Sequence, residues 1–155
     1  MTEAAAKVYD VVIIGGGPAG LTAGLYASRG RLSSLLIEKG ITGGQIVNAE
    51  WVENFPGFPE GIGGYDLGEL LTQQASRYGM ETTYAEVTGL EITGAAEAAH
   101  KIVHTTEGDL TARSVIVAGG SNPIQFTAPT SRDSKQASAR VPRTTVPRAG
   151  FTSTT

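Results

Sequence analysis

The apolar positions of this chain fall into short runs that stop at glycine, and the period within each run predicts an element. Val11-Val12-Ile13-Ile14 is a continuous β-branched block, the pattern of a strand buried on both faces rather than one with a wet face. It breaks at Gly15, and residues 18 to 28 favour a helix, with Pro18 in the first turn where its missing N–H costs nothing. Leu35-Leu36-Ile37-Glu38 is a second buried strand. Leu67, Leu70, Leu71, Ala75 and Tyr78 recur at spacings of three or four, predicting a helix with Asp66 as N-cap and Gly79 as its end. Strand-like alternation follows in 82–87 and 90–93. Segments 101–106 and 110–113 predict a hairpin around Glu107-Gly108-Asp109. A further β-branched run, 114–118, reads as buried and stops at Gly119-Gly120.

One long segment has no period. Residues 39–64 hold seven glycines together with Pro56 and Pro59, yet also Ile41, Ile46, Val47, Trp51, Val52, Phe55 and Phe58. That apolar content argues for an ordered binding loop, since low hydrophobicity is what keeps a segment unfolded. The alternation of strands and helices, with the hairpin appended, predicts an α/β fold of Rossmann type: a parallel sheet with a small antiparallel hairpin or meander.

Composition narrows the picture. The 155 residues suffice for one domain and are too few for two ordinary ones. Two regions are expected, a nucleotide-binding domain over 8–123 and a disordered tail over 124–155. The tail contains seven Thr, four Ser, three Pro and five cations against one Asp, with hardly any apolar periodicity. The net charge of −3 gives no reason to expect nucleic acid as a partner. Cysteine is absent, which excludes disulfides, thiolate metal sites and a C-x-x-C redox pair within this sequence. The first residues lack a basic n-region and no apolar run is long enough to span a bilayer, so no membrane partner is expected and the cytoplasm is the expected location. No metal site is expected either: Glu50, Glu53 and Glu60 are spread along a loop, and His100 and His104 read as exposed strand residues rather than ligands or a general base.

The chemistry lies at the first strand's end. Gly15, Gly17 and Gly20 fill the G-x-G-x-x-G spacing, giving a tight turn, close backbone approach to a pyrophosphate and close helix-on-strand packing. Pro18 and Ala19 then open the helix, whose unpaired N–H groups and positive dipole end favour an anion. Glu38 lies 18 residues beyond Gly20, near the spacing at which an acid accepts from adenosine ribose hydroxyls and disfavours a 2′-phosphate. Lys39 flanks it. By analogy with Gly15, the glycine end at Ala118-Gly119-Gly120 is expected beside the same nucleotide.

These residues, with Gly43-Gly44-Gln45 and Val52-Glu53-Asn54-Phe55-Pro56-Gly57-Phe58-Pro59, resemble the flavin domain of bacterial thioredoxin reductase, within the FAD-dependent pyridine nucleotide–disulfide oxidoreductases. The resemblance covers about residues 8 to 123. It implies FAD as cofactor, with the pyrophosphate on the Gly15 to Gly20 loop, Glu38 on the ribose, Gly44, Gln45 and Asn54 toward the ribityl chain and isoalloxazine, and the backbone of Val87 at the adenine. The second glycine motif of the family, usually Ala-Thr-Gly, has Gly119 at its Thr position here, which removes a hydroxyl and adds backbone freedom. Taken singly, Gln45 and Asn54 fit turn-capping as well as contact with flavin.

The resemblance implies an FAD-dependent oxidoreductase passing reducing equivalents from NADPH through FAD to a thioredoxin-like disulfide in a full-length parent. This sequence has no second G-x-G-x-x-G and no cysteine, so the reading is of a truncated, incomplete domain, not active alone, with no catalytic residue of its own. Its last 32 residues are read as coming from a shifted or unrelated frame. The alternatives are a cysteine-free flavin oxidoreductase of the ferredoxin–NADP reductase type and a non-catalytic nucleotide-binding remnant. An incomplete domain leaves apolar surface and a sheet edge uncovered, so homodimerisation or self-association is expected.

Overall fold

The structure, a computed structural model, describes residues 7–94 and 99–121; the tail expected over 124–155 lies outside them. Strands β1 (Val8–Ile14), β2 (Ser34–Glu38), β3 (Glu81–Tyr84), β4 (Val87–Thr93), β5 (His100–Thr105) and β6 (Gly108–Val117) form one mixed sheet in the order β3-β2-β1-β6-β5-β4. β1 runs parallel to β2 and β6, and β2 parallel to β3, whereas β4, β5 and β6 are joined antiparallel. Helices α1 (Pro18–Arg29) and α2 (Gly64–Ser76) complete the framework. The expected α/β architecture, parallel sheet plus meander, is therefore present.

β1 is central because its sequence allows it to be. Val11, Val12 and Ile13 are buried on a strand with neighbours on both edges. Val11 and Ile13 pack with Leu21 of α1, Leu36 of β2, Ala75 of α2 and Met80. Val12 joins Tyr9, Leu35, Ile37, Ala85, Val103 and Ala112 in a second cluster, to which the antiparallel strands contribute. Each fully buried Val, Leu or Ile contributes about 1.5–3 kcal/mol of hydrophobic stabilisation. α1 lies close on the sheet because Gly20 and Gly24 face it: a Cβ at either would sit 3.4 Å from the Ile13 side chain of β1, and one at Gly24 also 2.0 Å from Met80 Sδ, just before β3.

Three expectations are corrected, and the ordered loop read over 39–64 gains detail. The N-cap of α2 is Gly63, not Asp66. The helix starts earlier because Gly64, whose N–H bonds Ala49 O at 3.1 Å, fits where a Cβ would lie 2.0 Å from Ile46 O. Asp66 is left in the first turn, where its charge suits the dipole. The segment expected as one strand over 82–87 is broken at Ala85-Glu86, separating β3 from β4. Loop 39–64 contains a 3₁₀ turn, Gly44–Asn48, and an antiparallel bridge between Val52 and Ile62. Finally, 110–113 and 114–118 are not two strands: β6 runs unbroken for ten residues, and its end is not buried, with Val117 71% exposed. β5 reaches only to the Lys101↔Ala112 pair, so beyond Ala112 that side of β6 has no strand partner among the described residues.

His104 lies on the meander between two carboxylates, with Nδ1 2.8 Å from Asp109 Oδ1 and Nε2 3.7 Å from Glu91 Oε2. The hydrogen bond to Asp109 holds the imidazolium above the ordinary 6.5. A folded-state pKa raised in this way adds stability that is fully present below 6.5 and is lost as pH rises through the folded value. We expect the His104 ring protons to titrate with a midpoint above 6.5 by NMR, and Asp109→Asn to bring that midpoint down; an unchanged midpoint would contradict the assignment.

Candidate functional site

Three backbone segments, the ends of β2 and β6 and the Gly43-Gly44 crossing, converge with the Glu38 side chain on the turn between β1 and α1. Gly15 takes φ +105°, a conformation that side chains disfavour, and its N–H bonds Ile37 O at 2.8 Å. The end of β6 crosses beside it: Ala118 N–H donates to Ile14 O at 2.7 Å, and a Cβ on Gly15 would lie 2.3 Å from Ala118 O. Gly20 meets Gly15 just as closely, a Cβ there falling 1.9 Å from Gly15 O. From the third side Gly43 N–H donates to Gly16 O at 2.7 Å, and Gly44 lies with its Cβ position 2.9 Å from Gly17 Cα. The fourth contact is Glu38, whose Oε2 accepts from Gly16 N–H at 2.6 Å and whose Oε1 accepts from Gly40 N–H at 2.9 Å.

The start of α1 is left open. Gly17 is its N-cap, no side chain caps it, and its first turn carries no acid. The orphan N–H groups of that turn are thus directed at whatever occupies the space in front of them. Space exists: a Cβ on Gly17 would have nothing nearer than Gly44 Cα at 4.0 Å, and Gly119 and Gly120 face open space.

Beside this turn is a groove of about 200 Å³ lined by Ile14, Gly15, Ile37, Glu38, Lys39, Ala85, Glu86, Val87 and Gly119. Its walls are apolar at Ile14, Ile37, Ala85 and Val87, with the Glu38 carboxylate at one side. It is smaller than the ~300–1,000 Å³ of sites that enclose drug-sized ligands, so it suits a planar base with its ribose rather than a whole dinucleotide. The donor set fits such a ligand: amides for a diphosphate, apolar walls for a base and a fixed carboxylate with spare lone pairs for hydroxyls.

The structure thus brings Gly15, Gly17, Pro18, Ala19, Gly20, Glu38, Lys39, Gly44, Val87, Ala118, Gly119 and Gly120 around one turn and one groove. It does not bring Gln45 or Asn54 into the groove. Gln45, in the 3₁₀ turn, donates from Nε2 to the carbonyl of Ser121, and Asn54 is exposed between the bridged residues Val52 and Ile62. The sequence reading missed the Glu38–Gly16 bond, the Gly43–Gly16 bond and the Ala85-Glu86 wall. None of the three was marked in the sequence, where 82–87 reads as one continuous alternation. Among the described residues no group of three or more His, Cys, Asp or Glu side chains is placed to hold a metal ion, and no helix is long and apolar enough to cross a membrane.

Comparison with known proteins agrees with this geometry. Thioredoxin reductase from Bacillus subtilis (strain 168) is 46% identical over 114 residues, covering 74% of this chain and 34% of that protein. NADPH-dependent thioredoxin reductase 3 of Arabidopsis thaliana is 40% identical over 126 residues, covering 79% of this chain and 23% of the relative. The crystal structure of Lactococcus lactis thioredoxin reductase in its FR conformation superposes with a TM-score of 0.71 at 38% identity, over 77% of this chain and 38% of that one. The match therefore spans between 23% and 38% of the length of these relatives. The profile of the pyridine nucleotide-disulphide oxidoreductases matches residues 9–147, most of the sequence. With its glycine turn at the β1–α1 junction and its mixed sheet, the chain belongs to the pyridine nucleotide-disulphide oxidoreductase family.

Proposed function

We propose that this chain is an FAD-holding module of the thioredoxin reductase type. The observation that carries the reading is the meeting of Ala118, Glu38 and Gly43-Gly44 on the Gly15–Gly20 turn, which leaves the start of α1 open beside a groove of adenosine size. In this reading the first-turn amides of α1 hold the pyrophosphate, and Glu38, tied to Gly16, accepts from the ribose. The backbone at Val87 meets the adenine against Ile37 and Ala85. Lys39 lies at the lip, and Gly119 and Gly120 let the dinucleotide pass close to the end of β6. Gln45 and Asn54 meet the flavin end, beyond the groove. When bound, the flavin supplies the redox chemistry; the chain's residues bind and orient it.

NADPH as donor and a thioredoxin-like disulfide as acceptor belong to a full-length parent, and the cytoplasm is the location that goes with such partners. This sequence has no cysteine to exchange with a disulfide, so the purified chain is expected to show no NADPH-driven disulfide reduction. The side of β6 beyond Ala112, which has no strand partner among the described residues, with Ile116 and Val117 exposed, favours association of copies. Sedimentation should give a mass above that of the 16.0 kDa monomer, and a monomer at all concentrations would remove this part of the reading.

The test of the main reading is the absorbance spectrum of the purified chain before and after addition of FAD. Bound flavin that stays with the protein through gel filtration is the expected result. If no flavin is retained with FAD supplied, the reading fails and a non-catalytic remnant replaces it. Bound flavin reducible by NADPH with a partner chain present, without disulfide chemistry, would favour the ferredoxin–NADP reductase type instead.

A further inference from the structure

We propose that Gly68, on α2 and outside the groove, is a positioning residue for the phosphate loop, acting through Gly43; this rests on the dinucleotide reading above. Three backbones are stacked here. The glycine turn lies against the Gly43-Gly44 crossing, with Gly43 N–H bonded to Gly16 O at 2.7 Å and Gly44 closing on Gly17. The crossing in turn lies against α2, where a Cβ on Gly43 would be 3.0 Å from Gly68 Cα. A Cβ on Gly68 would meet Val47 Cγ1 at 2.8 Å and Gly43 Cα at 3.2 Å.

Gly68 is poorly suited to its own helix. It sits buried inside a 13-residue α-helix, where glycine costs about 1 kcal/mol relative to alanine. Local structure therefore favours alanine, and the contact with the crossing is what opposes it. The obstruction cannot be relieved by a simple rotation. Val47 is β-branched and stiff at χ1, it sits in the 3₁₀ turn, and its Cγ1 is also the atom that a Cβ on Gly43 would strike, at 2.4 Å. Gly43 holds φ +104° and has little freedom to yield without turning its N–H away from Gly16. A methyl group on Gly68 therefore pushes on the segment that fixes the amide plane between Gly16 and Gly17, and so moves the surface that receives the pyrophosphate.

The experiment compares wild type, Gly68→Ala, Val47→Ala and the double variant, as full 155-residue chains. Two quantities are read: FAD affinity by calorimetry, and hydrogen exchange of the Gly43 amide without ligand. In G68A the Gly43 amide is expected to exchange at least about tenfold faster and FAD affinity to fall about tenfold, as small displacements of positioning groups do. Val47→Ala removes the Cγ1 that the new methyl would strike, so the double variant should recover both to within about threefold of V47A, on the same positioning argument. A purely structural role would instead lower thermal stability and speed exchange throughout the sheet, without rescue by V47A.

The proposal is overturned if G68A leaves the Gly43 amide as protected as in wild type, or frees it with no loss of affinity. It is also overturned if G68A loses its near-ultraviolet circular dichroism and the double variant does not restore it. If wild type itself binds no FAD, the dinucleotide reading falls, and Gly43 exchange alone then decides whether Gly68 holds the crossing in place.

Discussion

Gly15→Ala is expected to abolish flavin retention and to destabilise the chain by about 2–5 kcal/mol, combining backbone strain with overpacking. Both terms come from one place. At φ +105° an alanine is strained, and its Cβ would lie 2.3 Å from Ala118 O and 2.7 Å from Ala118 C. These are backbone atoms of the residue that follows β6 and closes the site, with no rotamer to adjust, so the turn and the β6 end must part. Gly57 supplies the control. It has φ +95° and nothing within 4 Å of a Cβ, so Gly57→Ala carries strain alone, about 1–2 kcal/mol. Urea unfolding of the two variants separates the effects, and the spectrum with FAD reads the site. Equal destabilisation of both, with flavin retained by G15A, would show that Ala118 does not lie against Gly15.

Glu38→Ala is expected to lower FAD affinity about 10- to 100-fold, since hydrogen bonds to charged groups contribute about 1.5–3 kcal/mol. The carboxylate has two tasks: it accepts from Gly16 N–H and Gly40 N–H, and it lines the groove. Removing it frees the Gly16 amide and empties the ribose side of the groove together. Glu38→Gln is the informative companion. Its single carbonyl oxygen can accept from Gly16 or from Gly40 but not in the bidentate manner of the carboxylate, so an affinity between wild type and E38A is expected in calorimetric titration. An E38A chain that binds FAD as wild type does would remove Glu38 from the site.

Much of this arrangement was legible in the sequence, for a reason particular to glycine. Gly15 and Gly20 are spaced by the needs of a turn whose atoms are their own, so the motif carries its geometry with it. The buried runs of β1 and β2 were legible because both faces of a parallel strand are covered. Burial at the end of β6 was misjudged by the same logic: Val115, Ile116 and Val117 have the composition of a covered strand, but a strand's covering is supplied by other segments, and here Val117 is open. The start of α2 was misplaced because Asp66 looks like a cap, whereas the backbone of Ile46 and Ala49 decides where the helix begins. Gly24 and Gly68 carried no motif, and the motif that includes Gly43 gave no sign of what that glycine packs against. The partners, Met80 for Gly24, Val47 for Gly68, and Gly43 and Gly68 for each other, are distant in sequence and cannot be paired by spacing.

The route of β6 has a consequence for how the chain is made. Val11 pairs with Ser114 and Ile14 with Val117, a separation of about a hundred residues, so the first strand synthesised waits for the last described strand before its second edge is covered. At about 5–20 residues per second, translation holds that edge open for several seconds. Pairings of such high sequence separation also fold slowly, because loop closure must precede their reward. A nascent chain that has not yet delivered Ala118 thus carries the complete glycine motif without the wall that shapes it. On the proposed FAD reading, capture of the cofactor accordingly waits for Ala118 and is not an event of the emerging N-terminal half.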